Sequence, residues 1–238
     1  MSSMIEFVSA ADFFKTVGND ERVYFLVRHG ERDHIKPNDP DHGAFVGLTD
    51  RGREQALKLG KSIAASCTSG VSADCMFFSS PVGRCMQTAE YIGLGLGIDA
   101  PDVMPQQPLA EFFVKNYDAY METHVTGFYQ GICRWLDGTA ADSRYVDPAY
   151  FPLAARSQEM VQFMLSHGKA PINIFCSHDA WIVPCLNHFC GLQFSPSRWM
   201  NFLTGLAVVI GKDQGSGDVG AVRRFVPVTG LDTGWMLF

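Results

Sequence analysis

Val23-Tyr24-Phe25-Leu26-Val27-Arg28-His29-Gly30-Glu31-Arg32 is the stretch on which the reading of this chain turns. Val23 to Val27 is continuously apolar, as expected of a central strand buried on both faces. Polarity then switches abruptly. Arg28 to Gly47 is rich in Gly, Pro, Asp and His and reads as a long functional loop. A buried strand that ends in charge delivers that charge to one edge of a sheet.

The pattern recurs twice. Cys75 to Phe78 is apolar and ends at Ser79-Ser80-Pro81, where Ser80 suits a helix N-cap and Pro81 the first helical position. This places Arg84 in the first turns of a helix, near the positive end of its dipole. Ile172 to Cys176 is a third apolar strand and leads into Ser177-His178-Asp179. Between these lie helical patterns. One runs from Thr49, its N-cap, to Ala65, with Ala56, Leu59 and Ile63 on one side. Another follows Pro81 and ends near Gly93 to Gly97. Tyr117 to Leu136 reads as a single helix, Ala154 to Leu165 as another, and a last one follows Asp179 with Pro184 near its start. Pro101 to Pro108 reads as a linker and Gly138 to Pro152 as a loop. Leu206 to Ile210 and Val222 to Val228 are late strands, joined through Gly211 to Gly220 as a hairpin. Alternating strands and helices indicate an α/β fold, and in open α/β sheets ligands bind at the C-terminal ends of the strands.

Bulk properties narrow the function classes. The 238 residues are 47% hydrophobic and 18% charged, which suits one globular domain with a substantial core. The net charge of −6 and the lack of basic clusters argue against nucleic acid and acidic membranes as partners. Met1 to Lys15 lacks a basic segment followed by an apolar one, so no secretion signal is expected, and no apolar run reaches about 18 residues. The seven cysteines mostly sit inside apolar runs without CxxC pairs, which fits buried free thiols and a cytoplasmic location.

The three polar clusters carry the chemistry. Arg28, Arg32 and Arg84 supply forked donors that match a phosphate. His29 and His178 offer a nucleophile and a second phosphate donor. Gly30 lets backbone approach a ligand closely. Asp179 and Glu111 are candidate proton donors. Each residue also has a plainer reading: a loop histidine, a solvated arginine, a helix-capping aspartate. A metal site built on His29, His34, His42, His178 and Asp179 is the alternative of a different class, but the spacings match no zinc pattern. No metal or other cofactor is expected.

Arg28-His29-Gly30 resembles the signature of the histidine phosphatase superfamily, which includes phosphoglycerate mutases and histidine acid phosphatases. The resemblance extends through Leu48-Thr49, Gly52 and Gln55-Ala56, then Ser80-Pro81, Arg84 and Gln87-Thr88-Ala89-Glu90, then Ser177-His178-Asp179. It implies a phosphoglycerate mutase-like α/β/α sandwich around a mostly parallel sheet, as a single domain over 1–238 with a helical cap insert around 111–152. It also implies a metal-independent phosphomonoester hydrolase acting on a small-molecule phosphate ester, with His29 as nucleophile and Arg28, Arg32, Arg84 and His178 around the phosphate. Arg32 and His178-Asp179 are similar to the acid phosphatase branch, although His34 stands where that branch usually has Pro. Leu48-Thr49 and Glu111 are similar to the mutase-like branch. The expected proton donor is Asp179, slightly ahead of Glu111, because Asp179 is fixed next to His178 and Glu111 lies in a poorly patterned segment. A mutase of the same fold and a catalytically inactive phospho-ligand binder are the remaining alternatives. Specificity is expected from the Lys36 to Gly47 loop and the Glu111 to Pro152 insert.

Overall fold

The structure, a computed structural model, describes residues 6–35, 41, 43–67, 74–142, 144–212 and 219–236, and within these the side chains of His124 and Thr126 are not described. The chain alternates strands and helices in the order β1 (Val8–Ser9), α1 (Ala10–Lys15), β2 (Glu21–Arg28), α2 (Asp50–Ser66), β3 (Cys75–Ser79), α3 (Gly83–Gly95), β4 (Val103–Pro105), α4 (Pro108–Glu111), α5 (Tyr117–Thr126), α6 (Phe128–Ala141), α7 (Leu153–His167), β5 (Ile172–Ser177), α8 (Asp179–Cys190), β6 (Thr204–Gly211) and β7 (Val222–Thr229). The strands form one sheet in the order β1-β7-β6-β2-β5-β3-β4. β6 runs antiparallel to both of its neighbours, and every other pairing is parallel.

Side-chain alternation divides the interior into two layers. Val23, Phe25 and Val27 of β2, with Ile172, Ile174 and Cys176 of β5, pack against α1, α2 and α3. Tyr24 and Leu26 of β2, with Phe175 of β5, pack on the opposite face against residues of α6, α7 and α8. Both faces are therefore dry, which is why these strands read as unbroken apolar runs. The result is a three-layer α/β/α sandwich around a mostly parallel sheet.

β2, β5 and β3 are adjacent and parallel. Arg28 pairs with Ser177, and Ser79 pairs with Cys176, so the three polar clusters leave the sheet at one level. Thr49 caps α2, its hydroxyl accepting from the Gly52 N–H. Several local expectations change. Ser80 and Pro81 do not open α3: Val82 is its N-cap residue, without a side-chain cap bond. Tyr117 to Leu136 is two helices, because Gly127 takes φ +113° and breaks the path. α6 then continues to Ala141, into the stretch read as a loop. Pro101 to Pro108 holds the short strand β4, which hydrogen-bonds to β3. Pro184 lies in the interior of α8, not at its start. The tip of the expected Gly211 to Gly220 hairpin falls largely outside the described residues, but β6 and β7 do pair antiparallel.

Candidate active site

β2 ends by placing Arg28 and His29 in the interior; each is only 2% exposed. The His29 Nδ1 lies 2.8 Å from the Gly30 carbonyl oxygen. A carbonyl can only accept, so Nδ1 carries the proton and Nε2 keeps its lone pair. Burial, with Arg28, His178 and Arg84 nearby, holds the His29 imidazole well below its ordinary value of 6.5. The ring is therefore neutral at pH 7.

The backbone around His29 is pinned from two sides. The Gly30 N–H donates to the Thr88 hydroxyl at 2.9 Å, and that hydroxyl donates to the Arg84 carbonyl at 2.7 Å, which ties the loop to α3. A Cβ on Gly30 would lie 2.9 Å from the Gly52 carbonyl oxygen, and one on Gly52 only 2.1 Å from that of Glu31. Gly30 thus serves the close approach of the loop to the start of α2, where the sequence suggested approach to a ligand.

His178 follows β5 as the N-cap residue of α8. Its ring meets that of His29 edge-on, with centroids 5.6 Å apart. Its Nε2 lies 3.0 Å from the Ser80 hydroxyl and its Nδ1 3.4 Å from an Arg84 terminal nitrogen. Ser80, displaced from the expected capping role, therefore orients His178. Arg84, the second residue of α3, also donates to the Gly43 carbonyl at 2.5 Å. Arg32 is partly buried; burial and the neighbouring Arg84 pull its guanidinium below the usual value.

Arg28 stands behind this group. One terminal nitrogen donates to the Met200 carbonyl at 2.6 Å and the other pairs with Asp179 at 2.9 Å, while the guanidinium lies 4.4 Å above the Phe202 ring. The Nε groups of Arg28, Arg32 and Arg84 are all buried without a hydrogen-bond partner. The Nε groups of Arg22 and Arg224 share that condition, but they sit at the opposite end of the sheet, near the start of β2. An orphaned buried donor costs about 1–3 kcal/mol, and these three belong to arginines close enough to act on one another, a concentration of positive charge that suits an anion.

The two carboxylates differ. Asp179 is buried, and both its oxygens are engaged: one by Arg28 and by the Trp199 indole N–H at 2.9 Å, the other by the Ala180 N–H at 3.0 Å. Burial alone would push its carboxyl up, but Arg28, Trp199, His178 and Ala180 outweigh it and hold the group below 3.8. Glu111, the last residue of α4, is exposed, and no hydrogen bond or ion pair holds its carboxylate among the described residues.

A cavity of about 990 Å³ joins these parts. His29, Arg32, Arg84, His178 and Asp179 line one end, with Glu111 at the side; Arg28 does not reach its surface. Ile35, Asp41 and Ala44 come from the loop after β2, and Tyr117, Tyr120, Met121, Phe128 and Tyr129 from α5 and α6. Of the aromatics in the loop after β2 and the 111–152 insert, Phe112, Phe113 and Tyr150 are core and Phe45 is exposed, whereas Tyr117 and Tyr120 face the cavity. His34 is exposed, and His42 lies outside the described residues. Among the described residues no three His, Cys, Asp or Glu side chains are grouped to hold a metal ion.

The family model of the histidine phosphatase superfamily (branch 1) matches residues 24–220. The chain belongs to the histidine phosphatase superfamily. Solved structures agree on the fold. A phosphoserine phosphatase from Entamoeba histolytica, in complex with 3-phosphoglyceric acid, is 18% identical, with a TM-score of 0.53 over 88% of this chain and 98% of that one. A mycobacterial hydrolase is 15% identical, with a TM-score of 0.53 over 92% and 93% of the two chains. A mycobacterial glucosyl-3-phosphoglycerate phosphatase is 15% identical, with a TM-score of 0.51 over 88% and 99%. No curated protein matches the chain.

In this superfamily member several supporting residues escaped the sequence reading. Thr88 and Gln87 were visible only as part of a motif; the Gln87 side-chain oxygen accepts from the Leu48 N–H at 2.9 Å and so fixes the loop before α2. Trp199, Met200 and Phe202 come from a stretch with no periodic pattern, so nothing local marked them.

Proposed function

We propose that the protein is a phosphomonoester hydrolase that works through a phosphohistidine on His29. The observation that carries this reading is the fixed tautomer of a buried, neutral His29 that lines one end of a cavity together with Arg32 and Arg84, with Arg28 behind them. A neutral imidazole with a free Nε2 lone pair is a nucleophile, and forked cations next to it are suited to a phosphoryl dianion.

His29 Nε2 attacks phosphorus in line with the ester oxygen, and the P–O bond to the alcohol breaks as the N–P bond forms. Arg32 and Arg84 hold the phosphoryl oxygens. The long contact between Arg84 and His178 gives way to an oxygen placed between them, and Arg28 adds its charge from behind. These cations supply the neutralisation for which other phosphoryl-transfer sites use a metal ion. Glu111 protonates the departing oxygen. Asp179, held ionised by Arg28 and Trp199, is a positioning residue and a poor acid, which reverses the order suggested by sequence. Water then attacks phosphorus as the N–P bond breaks and Glu111 takes its proton, which releases inorganic phosphate and restores His29. Residues 111–152, which carry α5 and α6, act as the cap over the leaving group. The buried free thiols are compatible with a cytoplasmic location.

A panel of phosphate monoesters assayed with wild type and His29→Ala tests the reading. Hydrolysis by wild type, reduced at least about a thousandfold in His29→Ala, is the expected result. Equal turnover by the two proteins would overturn it.

A further inference from the structure

We propose that the cavity selects monoesters whose alcohol is bulky and aromatic and carries no second anion. This rests on the reading of the site as a phosphoryl site and names its substrate class. The volume, about 990 Å³, is far more than a phosphoryl group fills and lies at the upper end of pockets that enclose drug-sized ligands. Charge is distributed unevenly along it. Among the described residues that line it, the basic groups are His29, Arg32, Arg84 and His178, all at the phosphoryl end.

Beyond that end the described lining includes the carboxylate of Asp118. Among the described lining residues, an alcohol bearing a carboxylate would meet Asp118 there and no cation. The remaining wall is apolar and aromatic. Tyr117 and Tyr120 of α5 form a pair with ring centroids 6.1 Å apart, and Met121, Phe128 and Tyr129 continue the surface. Tyr117 is 57% exposed and Val125 88% exposed, and both line the cavity. Phe45, 87% exposed, is next to the lining residue Ala44. Among the described residues five large hydrophobic side chains are exposed, and two of them, Tyr117 and Val125, line this cavity. Apolar surface concentrated at one opening marks a place where an apolar group is covered in function. A small polar alcohol would leave it bare.

Calorimetry on His29→Ala protein, which binds esters without turning them over, reads the preference directly. Naphthyl phosphate is expected to bind at least about tenfold tighter than 3-phosphoglycerate. Adding Tyr117→Ala should weaken naphthyl phosphate about threefold to tenfold and leave inorganic phosphate within about twofold. Adding Asp118→Lys should tighten 3-phosphoglycerate about tenfold with little effect on naphthyl phosphate. If 3-phosphoglycerate binds as tightly as naphthyl phosphate, if neither binds, or if Tyr117→Ala changes nothing, the proposal is wrong. Wild-type turnover separates the two readings. Preferential binding of naphthyl phosphate without hydrolysis would refute the hydrolase and leave the selectivity standing. Hydrolysis without preference would do the reverse.

Discussion

In the proposed mechanism three features of its surroundings would make His29 a nucleophile. The Gly30 carbonyl sets the tautomer, burial removes the water that would favour the cation, and the surrounding arginines oppose protonation. An NMR titration of the His29 ring should therefore give a midpoint below 6.5; one at or above that value would show that the ring is solvated. Glu111 and Asp179 separate by the opposite logic. Glu111→Gln should slow alkyl phosphates about a hundredfold but barely affect nitrophenyl phosphate, whose leaving group departs without a proton. A uniform loss on both substrates would assign Glu111 a binding role. Asp179→Asn breaks the buried pair with Arg28 and should cost about 3–5 kcal/mol of stability in denaturant unfolding.

At the scale of elements, what was legible in the sequence is what local pattern records. β2, β3 and β5 are buried on both faces, so they appear as apolar runs, and the charge after each run announced the site. α2 was legible from Thr49 and its periodicity. The start of α3 was misplaced because the Ser80 hydroxyl serves His178, a partner 98 positions away that no local rule can supply. β4 was missed because three residues including a proline carry little strand signal. The break at Gly127 depends on a positive φ, and glycine permits that without requiring it. Trp199 and Phe202 reach the site from the segment before β6, and their role exists only in the folded chain. Thr88 shows how an element carries function: Thr88→Val keeps the shape but orphans the buried Gly30 N–H. The expected cost is about 1–3 kcal/mol, with a fall in kcat that exceeds any change in KM. Unchanged stability and kcat would mean that the loop is held by Gly52 packing alone.

For the molecule as a whole, the site is a source of acid sensitivity. Burial and the neighbouring cations hold His29 below 6.5 in the folded state, and Arg28 and Trp199 outweigh burial to hold Asp179 below 3.8. In both windows the unfolded chain binds more protons, so stability falls as pH drops, first through the His29 window just below 6.5 and then through the Asp179 window below 3.8. Thermal unfolding across a buffer series should show this, with a shallower decline of Tm just below pH 6.5 in His29→Ala; parallel curves would remove His29 from the account. In the proposed function the sheet, the two helical layers and the cap would serve one event, transfer of a phosphoryl group to the His29 imidazole nitrogen. Rapid quench of wild-type protein with a labelled phosphate ester, followed by peptide mapping, tests that event. The account predicts a base-stable, acid-labile label on the peptide containing His29 that is absent from His29→Ala. Turnover with no label, or an acid-stable label on another residue, would contradict it.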